Sequence, residues 1–185
     1  MQMFSTRFRY GAVAQFFHWT TAVLVVAAFV TGPGGSEQRV YSSALDFIRQ
    51  VHETLGAAIF IVVLLRVFWR LFDAAPEDPP MAQWMKHASS VVHAALYSLL
   101  IALPVTAIVG AWLEGHPLTL LGLRTIDPML PQSHEMGSVI AAVHTTLGNV
   151  ILWVAGAHAS AALFHHFFLH DRVLVSMLPG RSSAD

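Results

Sequence analysis

Hydrophobic residues in this chain run in four long blocks, and charge is largely confined to the stretches between them. Tyr10 to Ser36, His87 to Leu113 and Met136 to His170 carry no Asp, Glu, Lys or Arg. Each exceeds the roughly 20 residues needed to cross about 30 Å of hydrocarbon. The remaining block is less clean. Only Thr54 to Leu65 lacks charge, but helical character extends from about Ala44 to Leu71, with Arg66 and Arg70 snorkelling at one end. The pattern predicts transmembrane helices at about 11–31, 44–71, 88–113 and 137–168. That makes the chain an all-α, transmembrane four-helix bundle, a single domain over residues 1–185. The first block is longer than the 7–15 residues of a signal-peptide core and lacks a convincing cleavage site.

Composition supports lipid as the solvent. Only 11% of residues are charged and mean hydropathy is +0.58, whereas a soluble domain has about a quarter of its residues charged. A net charge of −1, with one lysine among ten basic residues, argues against a nucleic-acid binder. The absence of cysteine excludes disulfides, thiolate-held iron–sulfur clusters and covalent haem attachment through C-x-x-C-H. Arg7, Arg9, Arg66, Arg70, Lys86, Arg172 and Arg181 fall on the side of the termini, and only Arg39, Arg49 and Arg124 fall on the other. The positive-inside rule then puts both termini in the cytoplasm.

Candidate chemistry comes from histidine. Five histidines lie between Glu135 and Asp171, an interval without formal charge. His144 and His158 are fourteen residues apart, so they share nearly one helical face and are separated by about 21 Å along the axis. Depth along the predicted spans matches His52 with His144 on the outer side and His18 with His158 on the inner side. Two facing imidazole pairs stacked along the membrane normal suit two six-coordinate haems, with each iron held axially by two rings. A lone histidine in a membrane helix is more often a hydrogen-bonded packing residue; four at matched depths are harder to explain that way. A proton relay would call for Asp or Glu within the uncharged blocks of the spans, where there are none. Zinc is the other rival, but "HETLG" at 52–56 ends in Gly56 and fails the H-E-x-x-H motif. His166 and His170, an i, i+4 pair beside Asp171, read as a solvated interfacial cluster rather than a metal site. Small residues beside the rings, Gly56, Gly148 and the run from Gly156 to Ala161, would let a flat macrocycle lie against a helix; close helix packing also selects them.

These residues resemble the bacterial cytochrome b561 family over nearly the full length. The likeness rests on "FHW" (His18), "VHETLG" (His52), "LLIALPV" in the third helix, "VHTTLGN" (His144) and "GAHASAALFHHFF" (His158). It implies a small four-helix cytochrome of the bacterial inner membrane holding two haem b groups. The third helix carries no ligand in that family, and here His87 and His93 fall outside the matched pairs. The end of the fourth helix reads "ALFHHF" where the family has an "ALAHHY"-like run. The implied activity is electron transfer to the quinone pool, with superoxide as donor at the periplasmic face and ubiquinone as acceptor. Attracting that anion needs positive charge, which Arg39, Arg49 and Arg124 would have to provide, with His116 or His134. The alternative is a b-type cytochrome subunit fed by a dehydrogenase or hydrogenase partner. A haem-free transporter or channel would call for acidic residues in the spans.

Two further placements follow from spacing. Arg66 lies fourteen residues after His52, hence near the inner haem level, and is expected to pair with a haem propionate; snorkelling to lipid phosphate is the alternative. His93 lies one turn before Tyr97 in the third helix, where its ring could donate to a quinone carbonyl or instead bond a neighbouring helix.

Overall fold

The computed structural model describes residues 2–121 and 124–179. Arg181, one of the basic residues counted toward orientation, lies outside them. The elements in order are α1 (Ala12–Thr31), α2 (Glu37–Val40), α3 (Asp46–Arg70), α4 (Gln83–Leu113), a hairpin of β1 (Leu118–Leu120) and β2 (Arg124–Ile126), α5 (His134–Phe164) and α6 (Val173–Met177). A π-helical turn at His165–Leu169 prolongs α5. Four helices among the described residues are long and apolar enough to cross a membrane: α1, α3, α4 and α5 with its π extension. They form the helical bundle that the hydrophobic pattern predicts. Helix α4 begins at Gln83, ahead of the apolar block at His87, because hydropathy marks the hydrocarbon boundary whereas a helix continues into the interface.

The bundle is built from two helix pairs. Helix α1 packs along α3, α4 packs along α5, and α3 joins the pairs through α4. Helix α5 makes few contacts with α1 or α3. A small core of Ala28, Ile59, Val63, Leu99, Leu100 and Ile151 closes the middle of the bundle, and Val63 is completely buried. Large apolar side chains such as Val30, Ile61 and Trp153 point outward. In water that surface would be a liability; in hydrocarbon it is the expected exterior.

Both ends of the bundle are tied by polar contacts. At the end that carries the termini, the backbone N–H and Oγ of Ser5 donate to Asp73 at 2.8 and 2.7 Å, and Phe4 stacks on Trp69. The Trp19 indole donates to the Met177 carbonyl, which holds α6 against α1. At the far end, α4 stops in a Schellman motif: Gly115 N–H donates to the Trp112 carbonyl and His116 N–H to the Ala111 carbonyl. Gly115 sits at φ +85°, the left-handed conformation that this cap requires. The hairpin is pinned to α3, with Glu53 accepting from Thr119 N–H at 2.7 Å and Thr54 Oγ1 accepting from Leu121 N–H at 2.8 Å.

Within α4, the buried Pro104 cannot donate to the carbonyl one turn back, and Thr106 Oγ1 bonds the Ala102 and Leu103 carbonyls beside it.

Candidate functional site

Four histidines from three helices form two layers. His52 on α3 faces His144 on α5, with ring centroids 6.2 Å apart and planes crossed at 84°. His18 on α1 faces His158 on α5, also at 6.2 Å, with planes crossed at 66°. The first layer lies toward the far end and the second toward the termini. Leu55, Ile59, Leu147 and Ile151 pack in the apolar layer between them. The paired rings thus come from helices that have few other contacts with each other.

Backbone carbonyls set the tautomer in the far layer. His52 Nδ1 donates to the Ala28 carbonyl at 2.8 Å, and His144 Nδ1 donates to the Leu103 carbonyl at 2.9 Å. A carbonyl only accepts, so the proton is on Nδ1 and Nε2 keeps its lone pair. Ala28 can accept because α1 ends there: Gly32 N–H turns to the Phe29 carbonyl and leaves that of Ala28 for His52 and Thr31. This is the arrangement a metal-ligating imidazole needs, with its second nitrogen held by a backbone acceptor. In the layer near the termini no carbonyl holds either ring among the described residues; Arg66 Nη2 lies 3.3 Å from His18 Nδ1.

The spacing fits a shared metal. With metal–imidazole bonds of about 2.0–2.1 Å, two rings in line across one ion stand about 6.3 Å apart between centroids. Edge-to-face packing of rings spans about 4.5–7 Å and includes the same value. The space around the rings favours the first reading. At Gly56 and Gly148, each one turn beyond its histidine, no heavy atom of the described residues outside the helix's own backbone lies within 4 Å of where a Cβ would be. The residues present therefore fit a planar, bis-histidine macrocycle.

Other expected site residues have definite places. The Arg66 guanidinium lies 5.4 Å from the Tyr97 ring centroid as well as beside His18, so its side chain turns into the bundle. The His93 centroid is 5.3 Å from that of His158, closer than His18 is, and Ser89 Oγ lies 3.4 Å from His93 Nδ1. His87 bonds its own helix at the Gln83 carbonyl. Arg49 is not the free charge expected of it: it is buried and paired with Asp46 and Glu53. Arg39 and Arg124 remain exposed. In the cluster after α5, Asp171 pairs with His165, the first residue of the π turn, which the chain reaches by turning back at His170 in the left-handed conformation.

The far end holds a group of side chains that the helical pattern did not bring together. His116 Nε2 lies 2.8 Å from Glu37 Oε1, and His134 Nδ1 lies 3.4 Å from Glu37 Oε2. Glu114 approaches the same point from the end of α4. Burial and the neighbouring Glu37 push its carboxyl above the usual range, against a smaller opposing effect of His116 and His134. The one signal for this group in the sequence is "EGH" at the end of the third apolar block, where glycine stops a helix and presents its flanking side chains.

A membrane bundle with two layers of facing histidines belongs to the class of haem-holding membrane cytochromes. The chain is a member of the prokaryotic cytochrome b561 family, whose profile matches residues 9–180. It is 27% identical over 186 residues to cytochrome b561 homolog 2 of Escherichia coli K12, covering 100% of this chain and 98% of that one. It is 28% identical over 175 residues to cytochrome b561 homolog 1 of the same strain, covering 94% and 98%. Against the probable superoxide oxidase CybB of Yersinia pestis it is 29% identical over 175 residues, covering 92% and 96%. Membership makes this chain a multi-pass bacterial membrane protein that binds b-type haem and transfers electrons.

Proposed function

We propose that the chain is a single dihaem domain of the bacterial inner membrane that oxidises superoxide at its periplasmic face and reduces ubiquinone. Two superoxide anions would give up one electron each, and ubiquinone would take both with two protons. The observation that carries the reading is the repeated 6.2 Å pairing of His52 with His144 and of His18 with His158. Haem bound at each pair would supply a reversible one-electron couple. On this reading His52 and His144 hold the outer haem iron, His18 and His158 hold the inner one, and both termini are cytoplasmic.

The chain's own groups have separable tasks. The Ala28 and Leu103 carbonyls orient the outer ligands. Arg66, turned inward beside His18, offers its charge to a propionate. His93 and Tyr97 stand beside the inner pair, where the imidazole would donate to a quinone carbonyl. Exposed Arg39 and Arg124 remain to draw in the anion. The name of the Yersinia pestis relative supports the choice of superoxide. Addition of superoxide to the oxidised, detergent-purified protein tests the reading: both haems should be reduced within the mixing time and reoxidised by added ubiquinone. Haems that ignore superoxide but accept electrons from a membrane-bound dehydrogenase would replace it with the partner-fed subunit.

A further inference from the structure

Three segments that are distant in sequence converge at the far end of the bundle: Glu37 at the start of α2, Glu114 and His116 at the Schellman end of α4, and His134 at the start of α5. One donor atom from each of Glu37, Glu114 and His116 lies within 4.8 Å of the others. We propose that Glu37, Glu114, His116 and His134 form a site for a divalent transition cation, with Zn²⁺ the best match to two carboxylates and two imidazoles.

The donor set and its geometry agree. Carboxylate oxygen and imidazole nitrogen are ordinary zinc ligands, and a tetrahedral site with bonds of about 2.0–2.2 Å sets its donor atoms about 3.3–3.6 Å apart. The His134–Glu37 separation of 3.4 Å matches that spacing, and the His116–Glu37 separation of 2.8 Å is shorter than it.

Glu114 is the second, independent observation. It is 9% exposed, and its carboxylate accepts no hydrogen bond among the described residues. An enclosed carboxylate that no protein donor answers is left to solvent or to a cation. Its position is held closely. A Cβ at Gly137 would stand 2.5 Å from Glu114 Cγ, so only glycine lets α5 approach this near. His116 is held likewise, its ring stacked 3.4 Å from that of Tyr41, which has the Arg49 guanidinium 5.0 Å from its centroid. A cavity of about 330 Å³ reaches from Glu37, Glu114 and His134 to Ala141, Ala142 and Thr145, the neighbours of His144. A cation here would neutralise the two carboxylates that line this cavity.

The test is a zinc titration of the detergent-purified full chain, made with a histidine-free affinity tag and read by competition with a chromophoric chelator. Zn²⁺ alone is the probe, so neither superoxide nor quinone enters the readout. Wild type should bind one equivalent at about 1 µM or tighter. Glu114→Gln and His116→Asn should each weaken binding at least tenfold. His166→Asn, at the other end of the bundle, should bind as wild type does. Retained haem absorbance and an unchanged melting profile show that the variants are folded. Zinc-edge X-ray absorption should show nitrogen and oxygen donors with imidazole scattering. Binding weaker than millimolar, or equal in wild type and both variants, would overturn the site and leave a structural ion-pair cluster. Either result leaves the superoxide and quinone reading standing or falling on its own assay.

Discussion

Gly148 offers a perturbation on which packing and cofactor binding predict opposite signs. It lies one turn beyond His144 on nearly the same face of α5, and its Cβ position meets no heavy atom within 4 Å among the described residues outside the helix's own backbone. Judged on the polypeptide alone, Gly148→Leu should be harmless or better: glycine inside a helix costs about 1 kcal/mol relative to a good helix former. That gain corresponds to about a fivefold shift in a two-state equilibrium. If a macrocycle lies against this turn, the leucine side chain occupies its place, and displacing the branched chain would take off-rotamer angles costing about 1–3 kcal/mol or more. The expected result is a folded protein that has lost the haem of the His52–His144 pair and kept the other. Gly56→Leu on α3, one turn beyond His52, should do the same from the opposite side. Haem per polypeptide by the pyridine haemochrome assay, with circular dichroism to verify helix content, reads the outcome. Full haem content and an unchanged spectrum in both variants would refute the placement of the macrocycle.

Arg66→Gln should lower the midpoint potential of the haem held by His18 and His158 by on the order of 60 mV, the one-electron equivalent of about 1.4 kcal/mol, since removing a nearby positive charge favours the oxidised form; unchanged midpoints in a redox titration would remove Arg66 from the site. His93→Ala should slow quinone reduction at least tenfold while both haem spectra persist. Normal quinone kinetics would dispose of that role, and loss of a haem would show His93 to be a ligand. Gly137→Ala should destabilise the far end by about 1–3 kcal/mol, because its Cβ would stand 2.5 Å from Glu114 Cγ and 3.0 Å from the Glu114 backbone nitrogen. A melting temperature equal to that of wild type would contradict the close approach of α5 to the end of α4.

Much of this architecture was legible because lipid simplifies the code. An unpaired span must be a helix, so block length located three helices and an allowance for snorkelling Arg66 and Arg70 the fourth, and the fixed rise per residue converted His144 and His158 into two depths. The pairing with His52 and His18 needed only the alternating direction of the helices. What escaped depends on contacts that no period encodes. Residues 118–120 and 124–126 make strands of three residues each, shorter than any alternation can reveal. Glu37, Glu114, His116 and His134 meet only because three loops fold over the same bundle end. Arg49 looked like a free cation, but its partners Asp46 and Glu53 are one turn away on its own helix, a spacing that was there to be read. The His165–Asp171 pair depends on a π turn at His165–Leu169 and a left-handed His170, neither of which 3.6-residue periodicity encodes.

The haem-to-polypeptide ratio of the detergent-purified protein, by pyridine haemochrome against quantitative amino-acid analysis, tests the central claim most directly. Two b-type haems per chain are expected, falling to one in His144→Ala and to one in His158→Ala, with a different spectral component lost in each. One haem or fewer in well-folded wild type, or the same component lost in both variants, would contradict the two-layer assignment.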